Sequence, residues 1–298
     1  MMTSITARWH RWQFERTVRD IADTPPVAPG ATAYTALSMV QHRDVLPYLL
    51  ALKSFARFLP PSEVVLVADP TLDVNDRALL REHVPHLNIR EAAEFRHPGF
   101  PVGGCWERLS AISECVQRQP VVQLDADTVA LRSPPEVADA LAAGVCFTLG
   151  TEDGQRIAST GEMAARAREQ ADESDHIQGR CEVLLDKLDP EQRWSYVRGC
   201  AGFAGFARAS FDRDLMIEIS RRARALVGPD WDRWGTEQFT SNLIVASSLG
   251  GRVLPHPRYC APHQRTADTL FLHFIGYVRF TSSYYSEVTR RVSSELKG

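Results

Sequence analysis

The chain has 298 residues, 44% of them hydrophobic and 24% charged, with a formal net charge of −3. A chain of this size buries about 75% of its unfolded surface, enough for one large α/β domain or two small ones. The composition excludes fibrous and disordered classes, and the small negative charge gives no electrostatic basis for nucleic-acid binding.

Cys105, Cys115, Cys146, Cys181, Cys200 and Cys260 stand singly, with no C-x-x-C pair. Neither a zinc site nor a disulfide framework is expected, and reduced thiols in a cytoplasmic protein fit. No run of about 18 apolar residues occurs, and Arg8, Arg11, Arg16 and Arg19 interrupt any leader-like stretch, so no transmembrane segment or secretory leader is expected.

Residues from about Ser4 to Asp23 read as a helix mixing Ile5, Trp9, Trp12 and Phe14 with four arginines. A packed N-terminal arm or dimer contact is the commoner arrangement for such a helix; contact of residues 4–23 with an anionic membrane surface is the alternative. The stretch TPPVAPG, Thr24 to Gly30, then breaks the helix. Residues 1–30 are therefore expected as helix and linker, and 31–298 as the folded domain.

From Ala31 the pattern alternates. Ala33 to Val40, Glu63 to Ala68 and Leu87 to Arg90 read as strands; Val45 to Phe58, Asp76 to His83 and Cys105 to Gln117 read as helices. Val121 to Leu124 is a fourth, β-branched strand, and Val145 to Leu149 another. Such alternation implies right-handed crossovers and a mostly parallel sheet with helices on both faces, a Rossmann-like α/β fold. Neither G-x-G-x-x-G nor G-x-x-x-x-G-K-[ST] occurs, which disfavours a dinucleotide-binding domain and a P-loop; G-x-S-x-G is missing too.

Residues 151–198 turn polar and irregular, with helical patches at Glu162 to Gln170 and Arg180 to Leu188, and read as an insertion or lid on the ligand side. Gly199, Gly202 and Gly205 recur through GCAGFAGF, where glycine allows close backbone approach. A helix from Asp212 to Ala225 follows, then an aromatic turn, Gly228 to Gly235, and a helix through TEQFTSNLIVASS with Thr236 as N-cap. Its first turn presents Glu237 and Gln238. Leu270 to Phe280 is an apolar, strand-like run interrupted by His273, Gly276 and Arg279, and Tyr284 to Leu296 closes the chain as a helix.

The chemistry-bearing pair is Asp125 and Asp127, placed at the carboxyl end of the fourth strand, where ligands of parallel sheets bind. Carboxylates are rarely left beside apolar strands without a partner. In an extended chain residues i and i+2 point to one side, so the two could share one cation; an acidic turn is the plainer reading.

Together these residues resemble a nucleotide-sugar glycosyltransferase of the GT-A fold, most like the retaining family 8 group of glycogenin and lipopolysaccharide galactosyltransferase relatives. LDADT is similar to the family's D-x-D, which implies that Asp125 and Asp127 bind a divalent cation, Mn2+ or Mg2+, on the donor's diphosphate. HFIGYVR is similar to H-x-x-G-x-x-K, so His273 would complete the metal shell, with Gly276 in the loop and Arg279 in place of the lysine that meets the diphosphate. CWERLSAI resembles the family's aromatic-x-R-L helix, implying that Arg108 contacts the donor. TEQFTSN resembles D-Q-D-x-x-N, placing Glu237 and Gln238 near the donor sugar's anomeric carbon, and GCAGFAGF resembles N-x-G-h-h-h-F, placing Gly202 against the sugar.

Cys200 departs from the family's asparagine, Glu237 from its first acid, and Phe280-Thr281 from its Pro-Trp. The resemblance implies transfer of a sugar from a nucleotide-sugar donor, a UDP-sugar, to an acceptor hydroxyl, with retention. Two other readings remain open: a haloacid-dehalogenase-type phosphatase with Asp125 as nucleophile, which would need a lysine and a late acidic pair, and a non-catalytic GT-A-like binding protein.

Overall fold

The structure, a computed structural model, describes residues 4–170, 176–276 and 278–298. Ser4–Thr17 forms α1, Thr32–Val40 β1, Val45–Ala56 α2, Pro61–Ala68 β2, Val74–His83 α3, Leu87–Glu91 β3, Trp106–Cys115 α4 and Val121–Leu124 β4. Thr128–Ala130 is β5, Pro135–Ala143 α5, Phe147–Leu149 β6, Ala158–Ser159 β7, Thr160–Glu169 α6, Ile177–Glu182 α7, Leu185–Leu188 α8 and Ser195–Tyr196 β8. Cys200–Phe206 is β9, Arg213–Val227 α9, Thr236–Ser247 α10, Arg252–Leu254 β10, Tyr259–Cys260 β11, Phe271–His273 β12 and Tyr284–Lys297 α11.

The central sheet has seven strands in the order β10-β6-β9-β4-β1-β2-β3. β1 runs parallel to β2 and β4, β2 to β3, and β6 to β10, whereas β9 is antiparallel to both of its neighbours. Strand β2 shows why the sequence folds this way. Val64 and Leu66 enter one core and Val65 and Val67 the other, since successive side chains of a strand face opposite sides. Both faces are covered by helices, so the strand reads as a continuous apolar run. One core gathers α2 and α11 through Leu50, Phe55 and Tyr285; the other gathers α4, α9 and α10 through Ile112, Met216 and Leu243.

A second sheet, β11-β12-β5, sits beside the first. β12 is antiparallel to β5 with His273 opposite Thr128. The strand expected from Leu270 to Phe280 is therefore only Phe271–His273, and the chain turns after Phe274, with Arg279 N bonded to Ile275 O at 3.0 Å. In 151–198, β7 and β8 pair as a short antiparallel ribbon. Ile177, Leu185, Trp194 and Tyr196 from this stretch are packed into the second core; residues 171–175 lie outside the described residues.

The N-terminal helix packs on the C-terminal one: Phe14 stacks on Tyr285 with ring centroids 3.9 Å apart. The linker after it is tied down by Lys53, buried in α2, whose Nζ donates to Thr24 O at 3.0 Å, Thr24 Oγ1 at 2.7 Å and Pro25 O at 2.9 Å. It also meets His83 Nδ1 at 2.9 Å. Burial pushes the Lys53 ammonium down to about 8, and burial followed by Lys53 lowers the His83 imidazole. Burial beside the Lys53 ammonium keeps His83 neutral in the folded chain. Its folded pKa lies below its unfolded one, so the unfolded chain binds more protons on acidification through about pH 6.5, and stability contributed above that pH is lost below it. We expect the thermal midpoint of the wild type to fall more than that of His83→Gln between pH 7 and pH 5; equal slopes would refute the assignment. No helix among the described residues is long and apolar enough to cross a membrane.

Candidate functional site

Strand β4 ends at Leu124, and Asp125 and Asp127 do not continue it. They form a turn that leads into β5, closed by Thr128 N to Asp125 O at 3.2 Å and Thr128 Oγ1 to the same oxygen at 2.7 Å. The extended-chain argument for two carboxylates on one side is thus replaced by a turn, whose threonine hydroxyl takes the carbonyl a ladder would otherwise use. Two further backbone bonds hold the turn in place: Asp125 N donates to Gly202 O at 2.9 Å, and Phe274 N to Asp127 O at 2.8 Å.

These ties bring His273 to the aspartates. His273 Nε2 lies 3.1 Å from Asp127 Oδ1, and Arg279 Nη2 donates to Asp127 Oδ2. Burial alone would raise the Asp127 carboxyl, but His273 and then Arg279 outweigh it and hold it at about 2. On its far side, His273 Nδ1 meets Cys200 Sγ at 3.2 Å. The ligand atoms of Asp125, Asp127 and His273 all lie within 4.8 Å of one another. Oxygen and imidazole ligands at roughly 2 to 2.6 Å from one ion sit at most about 5 Å apart, so the three residues fit one divalent cation, and two hard carboxylates with one imidazole suit Mn2+ or Mg2+. A Nδ1 proton directed at the Cys200 sulfur would leave Nε2 as the ligand atom.

The second flank is built on α4 and α10. Arg108, buried in α4, pairs with Asp125 Oδ1 and reaches Glu237 Oε1 and Oε2 at 3.2 and 3.1 Å. The two helices are pinned by Trp106 Nε1 donating to Thr236 Oγ1 at 3.0 Å. Thr236 is therefore not the N-cap. Gly235 occupies that position with φ 107°, a left-handed conformation natural to glycine. Burial pushes the Glu237 carboxyl up to about 7 against the pull of Arg108, with the charge of Asp125 adding to the rise. Burial also raises the Asp125 carboxyl, with Arg108 opposing. One guanidinium facing two carboxylates leaves this flank short of positive charge.

Gln238 is half-buried, more open than Glu237. Its Oε1 accepts from Ala201 N at 3.2 Å and its Nε2 donates to Gln178 Oε1 at 2.8 Å. Gln178 in turn donates to Tyr196 Oη at 3.1 Å, and Tyr196 Oη donates to Glu182 Oε1 at 2.8 Å. Gln178, Tyr196 and Glu182 lie in the irregular 151–198 stretch and were not legible as site residues, because no local pattern marks which loop side chain meets Gln238. Asp44, 3.6 Å from Arg279, was likewise missed; its signal is its position just past β1, at the same end of the sheet as Asp125. Phe239, in the place of the second acid of D-Q-D, is fully buried and packs edge-on against Trp231.

Gly202 lies so close to His273 that an added Cβ would be 2.1 Å from its Cε1, whereas Gly276 has open space around it. Tyr277, within the HFIGYVR segment, lies outside the described residues. A separate trio, His42, Asp73 and Asp76, also brings ligand atoms together. Asp73 and Asp76 are committed there to the capping box of α3, which accounts for their placement.

No protein-family model and no curated protein sequence matches the chain. Among solved structures, the galactosyltransferase LgtC in complex with donor and acceptor sugar analogues aligns over 89% of this chain and 96% of its own, at 12% identity and a TM-score of 0.54. An active-site mutant of LgtC aligns over 88% and 95%, at 11% identity and a TM-score of 0.51. The bifunctional glycosyltransferase WbbM aligns at a TM-score of 0.49 and 15% identity over 84% of this chain, which spans 47% of that protein's length. The seven-stranded, mostly parallel sheet flanked by helices, in an arrangement shared with LgtC, gives this chain the GT-A fold.

Proposed function

We propose that the protein is a metal-dependent glycosyltransferase that moves a sugar from a nucleotide-diphosphate sugar, a UDP-sugar, to an acceptor hydroxyl with retention. The observation that carries this reading is the meeting of Asp125, Asp127 and His273, with ligand atoms within 4.8 Å, at the carboxyl end of β4 in a GT-A fold. Cleaving a sugar-diphosphate bond leaves negative charge on the departing phosphate, so stabilising the leaving group matters more than supplying acid. A divalent cation held by these three residues supplies Lewis acidity there. Arg279, freed from Asp127, offers a planar fork to the diphosphate, and Arg108 orients the donor.

Gln238, open and held by Ala201 N and Gln178, contacts the sugar; LgtC likewise has a Gln-to-Glu mutant described as an active-site mutant. Glu237 lies behind Arg108 and fixes it. Gly202 makes room for the His273 imidazole beside Asp127, and Gly276 leaves room for the donor in the turn before Arg279. The phosphatase reading is less well served, since the groups that meet the aspartates are His273 and Arg279 at Asp127 and Arg108 at Asp125, not a lysine and an acidic pair.

The test is a titration of the full chain with UDP, with and without Mn2+ or Mg2+, followed by a panel of nucleotide sugars scored for released nucleotide. At about one hundred times Kd the ligand should add about 2.7 kcal/mol of stability, seen as a thermal shift that requires the metal. UDP response with no turnover of any donor would assign a binding protein. Hydrolysis of phosphomonoesters without any UDP response would overturn the reading.

A further inference from the structure

We propose that α1 docks this protein on an anionic lipid surface. The helix is already partnered on one side, where Phe14 is buried between Tyr285 and Phe280. The opposite side is apolar and faces solvent: Ile5, Trp9 and Trp12 are 75%, 54% and 45% exposed. Their spacing of four and then three residues places them in one stripe along the helix. Trp9 and Trp12 stack at 4.9 Å, and the Arg16 guanidinium lies over the Trp12 ring at 4.8 Å. Large apolar side chains on a second, outward face do nothing for the packing of α1 on α11.

The charge around the stripe selects the partner. Residues 4–23 hold four arginines against three acids, Glu15, Asp20 and Asp23, the last of them paired with Lys297, in a chain whose net charge is −3. Arg11 pairs with Glu15, while Arg8, Arg16 and Arg19 make no ion pair among the described residues and are exposed. Indoles prefer the headgroup level of a bilayer, and exposed arginines are drawn to anionic headgroups. A second copy of the chain would instead set like charges against each other across a two-fold contact.

Docking there would also orient the site. Phe280, against Phe14, follows Arg279 directly, and Tyr285 stacks at 4.0 Å on Phe274, the residue after His273. The inference does not rest on the transferase reading, because it concerns binding alone.

The experiment is co-sedimentation of the full chain with phosphatidylcholine vesicles with and without phosphatidylglycerol. We expect binding at least about tenfold tighter to the anionic vesicles, lost at high salt. Trp9→Ser/Trp12→Ser should weaken it by about tenfold or more, and Arg8→Glu/Arg16→Glu should abolish it. Both variants should melt at the wild-type temperature. Equal partition into neutral and anionic vesicles, or unchanged binding by both variants, would overturn the proposal. So would self-association of the wild type, lost in both variants, without vesicle binding; that result would assign the stripe to a second copy.

Discussion

Asp127→Asn is expected to remove metal-dependent nucleotide binding and to lower transfer by about a thousandfold, since a metal's charge stabilisation is worth several kcal/mol. Asparagine keeps the shape of the side chain and an oxygen that can still accept, whereas alanine would leave His273 Nε2 and Arg279 Nη2 without a partner at that position. The informative readout is the metal-free arm. Arg279 donates to Asp127 in the donor-free protein, so in Asp127→Asn the guanidinium loses its competitor, and UDP binding without metal should hold or tighten. His273→Ala should weaken metal-dependent binding while leaving the two aspartates. Isothermal titration of UDP with and without Mn2+ checks all of this, and a variant that keeps the full metal response would refute the assignment of Asp127 as a ligand.

Gly202→Ala should disable the site from a position that carries no charge. Its Cβ would fall 2.1 Å from His273 Cε1 and 2.6 Å from Nε2, closer than real contacts allow, so the imidazole must leave its place beside Asp127. Overpacking of this kind costs about 1 to 3 kcal/mol. The double variant Gly202→Ala/His273→Ala removes the collision, so the thermal midpoint should recover while the metal response stays absent, the coupling expected of two residues in contact. Gly205→Ala is the control: its Cβ would meet Phe147 at 2.0 Å, in the core, and should lower stability while the cation still binds. If Gly202→Ala keeps its Mn2+ response, His273 does not hold the ion.

The alternation of strands and helices was legible because burial writes itself into local pattern. Val64 to Val67 are apolar without a break, and Val121 to Leu124 are interrupted only by the buried Gln123, both stretches being covered on both faces, and the start of α2 at Val45 matches the expected one. Where expectation and structure part, tertiary contacts decide. Asp125 and Asp127 turn because Gly202 O and Phe274 N hold the backbone there, and the strand at Phe271–His273 stops opposite Thr128, where the three-residue β5 begins. Gly235 rather than Thr236 caps α10 because the threonine hydroxyl receives the Trp106 indole N–H. The helix at residues 4–23 was expected as a packed arm with a membrane alternative; one face packs and the other stays open, which one-dimensional pattern does not separate. The D-x-D pair and the late histidine could be named from motif spelling, but Gln178 and Asp44 could not, since their roles arise from loops that meet only in three dimensions.

The pairing of β5 with β12 also has a bearing on how the chain reaches its folded state. Asp127 and His273 are separated by 146 residues, and closing a loop of that length costs about 4 kcal/mol of chain entropy beyond a constant. Contacts of such long range are slow to form. The aspartate turn can be shaped locally by Thr128, but the imidazole joins it only once nearly the whole sheet between them is in place. A partly folded chain therefore offers two carboxylates and no third ligand, and a cation bound by all three side chains stabilises the complete topology alone. Occupancy of the site is in that sense a measure of how much of the chain has found its final register.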